Sequence, residues 1–331
     1  MPSRSADYPA PMPRPFRFLA PMPERAQSLS AWRDHIKKVE DLGFSTIHVS
    51  DHFTQGSTIE PVVAMCAAAS VSDRLRVLCL VFGNDYRHPV LLHRSMALLD
   101  VLSEGRVEVG LGAGWMQSDY EAAGISYDRP GVRISRLREA AKIVKGLFGE
   151  GPFSFSGQHY KITELDGLPK PVQKPRPPLM IGGGGRRLLG LAGEEADIVS
   201  LTVTSTPTGE IIPERIAREM SEEGIAQKVG WVRAGAEAAG RRFDDIEMQL
   251  GMLCTITDTA EQARTTLEGI AKTYGADPAL VGSSPAVLVG SLEQCVETLQ
   301  ERRERLGISY ISFLFSEPAA VAPLLAKVAG T

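Results

Sequence analysis

The sequence predicts an α/β fold, a (β/α)8 TIM barrel with insertions, on two observations. Short apolar runs typical of buried strands alternate with longer segments of helical periodicity. The runs number eight, at Phe16–Ala20, Ser45–Ser50, Leu75–Phe82, Arg106–Gly112, Leu179–Gly182, Ala196–Leu201, Ile246–Thr255 and Tyr310–Phe315. Alternating strands and helices form parallel sheets, and eight units favour a closed barrel. An open doubly wound sheet is the structural alternative.

Helical patterns fall between these strands. They include Leu29–Leu42, Pro89–Leu102, Arg133–Phe148, Ala260–Tyr274 and Leu292–Leu306. Ser291 and Gln294 form a capping box that marks the start of the last helix. The chain has 331 residues, which suits a single barrel with insertions because the bare fold needs about 250.

The domain organisation predicted is one arm and one domain. Residues 1–15 contain five prolines and little hydrophobic pattern, which is typical of a flexible arm. Residues 16–331 form the single barrel domain, with insertions near 150–177 and 202–244. Within the first insertion, Phe153–Ile162 alternates around a glycine and predicts a hairpin. Insertions after barrel strands often shape substrate pockets.

Composition excludes several classes of partner and site. The net charge is −4, from 36 Lys and Arg against 40 Asp and Glu, whereas a nucleic-acid-binding protein carries a basic footprint. No apolar run reaches the ~20 residues that span a membrane, and the N-terminus lacks a signal-peptide core, so we expect a cytoplasmic protein without a nucleic-acid or membrane partner. The four cysteines form no CxxC pair and should be buried reduced thiols, and the six histidines form no HExxH motif. We therefore expect no metal site.

A histidine lies just beyond the second predicted strand, at the barrel end where active sites of this fold occur. Ile47 and Val49 are apolar and should face the helices, so His48 and, by the same alternation, His52 should face the barrel axis. Because histidine exchanges protons near neutral pH, His52 is the candidate catalytic acid or base. A loop histidine bonded to its neighbours is the alternative. The adjacent Asp51 could orient His52, cap the next helix or bind a cofactor.

Glycines occupy the inward positions 110, 112 and 114 of the fourth predicted strand. Glycine permits a bulky ring or a phosphate to approach the backbone closely. The spacing is GxGxGW, which differs from the GxGxxG of dinucleotide-binding sites. A tight strand exit is the alternative explanation for Gly112 and Gly114, and Trp115 is either a wall for ring stacking or a core residue.

The fifth predicted strand ends in the glycine run Gly182, Gly183, Gly184 and Gly185, followed by Arg186 and Arg187. Consecutive glycines before a helix expose several backbone N–H groups, and the helix N-terminus adds partial positive charge. Arg186 can add a charge-assisted bond to a phosphate. The pattern favours a phosphate site over a flexible loop with solvated arginines.

Taken in order, these segments resemble the luciferase-like monooxygenase superfamily over roughly residues 16–330. The matching pieces are Gly43-Phe44, Val49-Ser50-Asp51-His52, Arg87-His88-Pro89, Leu99-Asp100, Leu102-Ser103-Glu104-Gly105-Arg106, Gly110-Leu111-Gly112-Ala113-Gly114-Trp115, Arg133 with Glu139, and Pro177-Pro178-Leu179-Met180-Ile181-Gly182-Gly183. Their order and spacing make the match specific. Within the superfamily the chain looks most like the branch that uses coenzyme F420, a deazaflavin.

The resemblance implies a cofactor ring at the barrel mouth and redox chemistry there. It assigns His52 as acid or base, Asp51 as a cofactor contact, Gly112 and Gly114 as the strand exit beside the ring, and Gly182 to Gly185 as the phosphate loop. It also implies a bulged third strand with a non-proline cis peptide near Leu80–Val81, which brings Val81 and Gly83 to the cofactor. Trp115 replaces the glutamate of the family's sugar-phosphate dehydrogenases, which argues against that activity.

Three functions remain at this point. The first is hydride transfer between F420 and an unknown organic substrate. The second is an FMN-dependent monooxygenase that uses oxygen and reduced flavin supplied by a separate reductase. The third is a cofactor-binding protein without turnover. A small-molecule substrate is expected for the first two, and the resemblance is compatible with a homodimer.

Overall fold

The computed structural model describes residues 14–331 except 24, 26, 27, 55–57, 207, 209 and 211. Most of the arm predicted at residues 1–15 therefore lies outside the described residues.

Eight parallel strands form a closed ring. In chain order the strands are β1 (Arg17–Pro21), β2 (Thr46–Val49), β3 (Arg76–Cys79), β4 (Phe82–Gly83), β5 (Val107–Gly112), β6 (Pro152–Ser156), β7 (Lys161–Asp166), β8 (Leu179–Gly183), β9 (Ile198–Leu201), β10 (Glu247–Ile256), β11 (Val287–Gly290) and β12 (Ile308–Leu314). The ring runs β1-β2-β3-β5-β8-β9-β10-β12 and closes where β12 pairs with β1. The predicted barrel is confirmed, and the open-sheet alternative is wrong.

Each of the eight predicted runs overlaps one barrel strand. The third run is split into β3 and β4, which both pair with β5, and the peptide bond between Leu80 and Val81 in the interruption is cis. β11 was not predicted; it pairs with the outer part of β10 and lies off the ring.

Helices surround the ring. They are α1 (Leu29–Asp41), α2 (Pro61–Ala69), α3 (Pro89–Leu102), α4 (Gln117–Ala123), α5 (Pro130–Phe148), α6 (Arg186–Glu195), α7 (Pro213–Glu219), α8 (Glu222–Ala238), α9 (Ala260–Tyr274), α10 (Pro278–Ser283), α11 (Leu292–Leu306) and α12 (Pro318–Val328). The capping box predicted at Ser291 and Gln294 is present at the start of α11. Both helices of the second insertion, α7 and α8, follow β9.

The first insertion contains the predicted hairpin, as the antiparallel pair β6–β7. The carboxylate of Glu139 on α5 accepts three hydrogen bonds from the backbone N–H groups of residues 158–160, which form the turn of the hairpin. This contact ties the hairpin to the barrel's outer helices.

The core consists of an outer layer and a small barrel interior. Ile47 and Val49 pack outward against the helices, as predicted. At the N-terminal end of the strands the interior is closed by the buried carboxylate of Glu108, which accepts bonds from Arg17, Arg76 and the Tyr310 hydroxyl at 2.6, 2.8 and 2.8 Å. Burial tends to raise the pKa of Glu108, but its arginine partners lower it. This network closes one end of the barrel and leaves the C-terminal end for a site.

The cysteines are all free, but the prediction that all are buried is wrong for Cys66, which is exposed, and for Cys254, which is half-buried. Among the residues that the structure describes, no group of three or more His, Cys, Asp or Glu side chains could hold a metal ion. The same part of the chain contains no helix long and apolar enough to span a bilayer.

Candidate functional site

A cavity of about 610 Å³ opens at the C-terminal ends of the barrel strands. Its size is within the range of small-molecule sites, roughly 300–1,000 Å³. All twelve residues that the sequence assigned to a site line this cavity: Asp51, His52, Val81, Gly83, Gly112, Gly114, Trp115, Gly182, Gly183, Gly184, Gly185 and Arg186. Their roles in binding and catalysis stay predictions.

His52 is held in one orientation. Its Nδ1 lies 2.6 Å from Oδ2 of Asp119, and its ring meets that of Trp115 edge-on, with 5.7 Å between ring centroids. The bond to Asp119 leaves Nε2 as the ring nitrogen available to a ligand. Because a carboxylate accepts from Nδ1–H, the neutral imidazole is expected to carry its proton on Nδ1 and to offer Nε2 as a base.

Asp119 was not predicted. It is buried, and it accepts further bonds from the backbone N–H groups of Phe53 and Thr54 and from the Thr54 hydroxyl, at 3.0, 2.9 and 2.7 Å. Burial tends to raise the pKa of Asp119, but the bonds from His52, Thr54 and Phe53 outweigh it and lower the pKa. Asp119 lies in the first turn of α4, where the helix dipole also favours an anion. The sequence signal was an acidic residue just after the glycine-rich exit of β5.

In the described part of the chain, Asp51 makes no hydrogen bond or ion pair to His52. Its buried carboxylate accepts from the backbone N–H of Gly83 at 3.0 Å and is ion-paired with Arg87, which also pairs with Glu60. Burial raises the pKa of Asp51, although Arg87 acts in the opposite direction. Asp51 therefore fixes the strand interruption around β4. The residue that orients His52 is Asp119, not Asp51.

The glycines of β5 and β8 make room for a protein side chain. A Cβ on Gly110, Gly112 or Gly182 would lie 3.2, 2.6 or 3.2 Å from the side chain of Val81, which projects from the strand interruption. At Gly114, where φ is +73°, a Cβ would lie 1.8 Å from the Tyr120 hydroxyl. Val81 and Tyr120 thus fill the space beside these two glycines, and a contact of Gly112 and Gly114 with a cofactor ring stays a prediction. Val81 itself lines the cavity together with these glycines.

The glycine run at 182–185 has one open position. A Cβ on Gly183 would clash with Leu188, and one on Gly184 would lie 2.5 Å from the Thr202 carbonyl oxygen, whereas Gly185 has no neighbour closer than Thr204 Cγ2 at 3.7 Å. Gly185 is the N-cap of α6, and no side chain in the described part of the chain caps that helix. The N–H groups of its first turn are therefore free to bind an anion. Arg186 and Arg187 are exposed beside them.

A buried lysine supports this loop. Lys228 on α8 donates to the carbonyl oxygen of Gly184 at 2.7 Å and to the Glu219 carboxylate at 2.8 Å. Burial lowers the pKa of Lys228, against the opposing effect of Glu219. Glu219 also accepts from the N–H and hydroxyl of Thr204 at 2.8 and 2.9 Å. One network thus joins the glycine run to the loop after β9.

Three polar side chains line the bottom of the cavity, and we call them the polar floor: Ser200 on β9, Gln249 on β10 and Ser312 on β12. The Ser200 hydroxyl donates to Oε1 of Gln249 at 2.6 Å, and Nε2 of Gln249 donates to the Ser312 hydroxyl at 3.1 Å. All three are buried and line the cavity. These three residues were not predicted, because a single polar residue in an apolar strand gives no indication of its neighbours.

Comparison with known proteins gives a family match and several relatives. The model of the family described as luciferase-like monooxygenase matches residues 15–281. An FMNH2-dependent dimethylsulfone monooxygenase of Pseudomonas putida is 27% identical over 223 residues, 67% of this chain and 55% of the relative. An F420-dependent glucose-6-phosphate dehydrogenase of Amycolatopsis mediterranei is 24% identical over 220 residues, 65% of this chain and 61% of the relative. This chain thus spans less than two thirds of either relative's length.

Solved structures share the fold. An F420-dependent secondary alcohol dehydrogenase in complex with an F420-acetone adduct superposes with a TM-score of 0.72 at 15% identity, covering 95% of this chain and 98% of that one. At this identity the likeness bears on the fold alone. The named relatives include enzymes of both cofactor types.

Proposed function

Since this chain belongs to the luciferase-like monooxygenase family, we propose that it is an oxidoreductase that transfers hydride between the deazaflavin coenzyme F420 and an organic substrate. The observation that carries the proposal is the His52–Asp119 pair in the cavity. Hydride transfer to a carbonyl carbon, or from an alcohol carbon, requires a proton to be given to or taken from the oxygen. Histidine with a buried carboxylate partner is suited to that proton transfer.

The residues of the cavity fit such a cofactor. The open backbone at Gly185 and the uncapped first turn of α6 suit a phosphate, and the exposed guanidinium groups of Arg186 and Arg187 suit further negative charge. Val81 offers an apolar surface to a flat ring. The acidic tail that F420 carries beyond its phosphate makes two exposed arginines at the mouth more useful to F420 than to FMN.

When bound, the deazaflavin supplies a carbon that donates or accepts hydride. His52 then holds or removes the substrate proton at Nε2, while Asp119 fixes Nδ1–H and stabilises the imidazolium when it forms. Trp115 packs on the edge of His52 and restricts its movement. Asp51 and Arg87 keep the strand interruption in place beneath the ring site.

Cofactor titration tests the proposal. Apo protein is titrated separately with F420 and FMN, and binding is followed by quenching of cofactor fluorescence. We expect micromolar binding of F420 and at least tenfold weaker binding of FMN. Tighter binding of FMN would overturn the cofactor choice and favour the FMN-dependent monooxygenase, which substrate-dependent oxygen uptake with reduced FMN would then establish.

The role of His52 is tested separately. The His52→Ala variant should bind F420 within threefold of the wild-type affinity but lose roughly 10²–10⁴-fold in turnover across a panel of alcohols with F420. An unchanged rate in His52→Ala would remove the catalytic assignment. A wild-type protein that binds F420 but turns over nothing in the panel would favour the non-catalytic alternative.

A further inference from the structure

The polar floor contains more hydrogen-bonding capacity than the protein uses. A glutamine amide has two N–H donors and an oxygen with two acceptor sites. Gln249 donates once, to Ser312, and accepts once, from Ser200. Among the described residues nothing else bonds to this amide, and the Ser312 hydroxyl proton has no acceptor there. One donor and one acceptor site of Gln249 therefore remain available.

These groups are buried but face the cavity. Gln249 is 1% exposed, and Ser200 and Ser312 are 8% and 4% exposed. Leaving a buried donor or acceptor unpaired is unfavourable, and apolar residues at these strand positions would avoid that penalty. The arrangement is thus suited to a ligand that supplies both an acceptor and a donor.

The polar floor begins directly beside Val81. A Cβ on Gly182 would lie 3.2 Å from the Val81 side chain and 3.6 Å from Cβ of Ser200. The apolar side chain of Val81 and the hydroxyl-bearing side chain of Ser200 therefore lie on either side of this one glycine. In the strand register, Ser200 on β9 lies beside Gln249 on β10. Gly251, two residues further along β10, lies beside Ser312 on β12. A ligand that lies on Val81 can therefore extend over the polar floor.

We infer that the polar floor binds the imide edge of the cofactor ring, the C=O, N–H, C=O sequence that flavins and deazaflavins share. The free N–H of Gln249 donates to a ring carbonyl, and its oxygen accepts from the ring N3–H. The polar floor carries no formal charge, which suits a neutral imide. A single substrate carbonyl would use only the donor. The inference rests on the proposed function in placing a ring in this cavity, but it holds for F420 and FMN alike.

The test compares ligands that differ only at N3. F420, FMN and the N3-methyl derivative of each are titrated separately into the wild type, Gln249→Leu and Gln158→Leu. Gln158→Leu is the control, because it makes the same change on the exposed hairpin. Fluorescence quenching gives the dissociation constants. The wild type and Gln158→Leu should prefer the unmethylated ring at least tenfold, and Gln249→Leu should show less than a threefold preference.

The outcomes separate this inference from the choice of cofactor. If only FMN binds, the proposed function fails, and the FMN pair alone decides the inference. Equal binding of methylated and unmethylated rings by the wild type would overturn the inference and would indicate that the polar floor binds the substrate. A preference for the unmethylated ring that persists in Gln249→Leu would have the same meaning. Binding of neither ring overturns the inference as well. Gln249→Met, close to glutamine in volume, replaces Gln249→Leu if that variant does not melt cooperatively.

Discussion

Replacing Asp119 by asparagine should reverse the tautomer of His52. Asp119 Oδ1 accepts from the N–H groups of Phe53 and Thr54 and from the Thr54 hydroxyl, while Oδ2 accepts from His52 Nδ1. In Asp119→Asn the three loop donors should retain the amide oxygen. The amide NH2 group then faces His52, so Nδ1 must accept and the proton moves to Nε2.

The size of the effect follows from the bond at 2.6 Å between His52 and Asp119. A hydrogen bond to a charged group contributes about 1.5–3 kcal/mol, and about 1.4 kcal/mol is a tenfold population ratio. The Nδ1–H tautomer should therefore predominate roughly 10- to 100-fold in the wild type and become the minor form in the variant. A neutral imidazole protonated at Nε2 cannot accept the substrate proton there, so turnover in the alcohol-oxidising direction should fall about 10²–10⁴-fold.

The assay is long-range ¹H–¹⁵N correlation of the histidine side chains above neutral pH, with His52 assigned by its absence in His52→Gln. Glu121→Gln makes the same chemical change at an exposed position of α4 and should leave the spectrum of His52 unchanged. The same tautomer in wild type and Asp119→Asn would refute the reasoning, because Asp119 would then not determine which nitrogen faces the cavity.

Three further substitutions test other parts of the structure. Gly185→Ala places its Cβ 3.7 Å from Thr204 Cγ2, so the free energy of unfolding should change by less than about 1 kcal/mol. The affinity for F420 should fall at least tenfold, and an unchanged affinity would exclude close contact between the phosphate and Gly185. His93 is a buried residue of α3. Burial, aided by Lys170, lowers the pKa of His93 to about 4, whereas the unfolded chain binds the proton near pH 6.5. Stability should therefore be complete above that pH and fall as the pH drops toward 4, by about 2 kcal/mol at pH 5, and His93→Leu should flatten this loss in urea unfolding; an identical slope would contradict it. Lys228→Met removes the donor to Gly184 and should lower the free energy of unfolding by about 1–3 kcal/mol and the F420 affinity by roughly tenfold. Retention of full affinity would show that the loop keeps its shape without Lys228.

The barrel could be predicted because its strands are buried on both faces and appear as apolar runs. The family resemblance is confirmed on the same segments. β11 escaped because it has only four residues, Val287–Gly290, and lies off the ring beside β10. A run of that length does not reveal whether it joins a barrel.

The site could be predicted where function leaves a local pattern and not where it depends on distant partners. The glycine run and His52 each stand out in the sequence, and they line one cavity. The partner of His52 lies 67 residues away on α4, and the polar floor joins three strands. The glycines of β5 were found, but the reason for them, the space that Val81 needs, appears only when the strands are assembled.

A crystal structure with F420 bound tests the central claim most directly. We expect the phosphate within hydrogen-bond distance of the backbone N–H groups after Gly184, and the ring in contact with Val81 on the side of the cavity that His52 lines. A cofactor bound elsewhere, or a ring separated from His52 by packed protein side chains, would contradict the account.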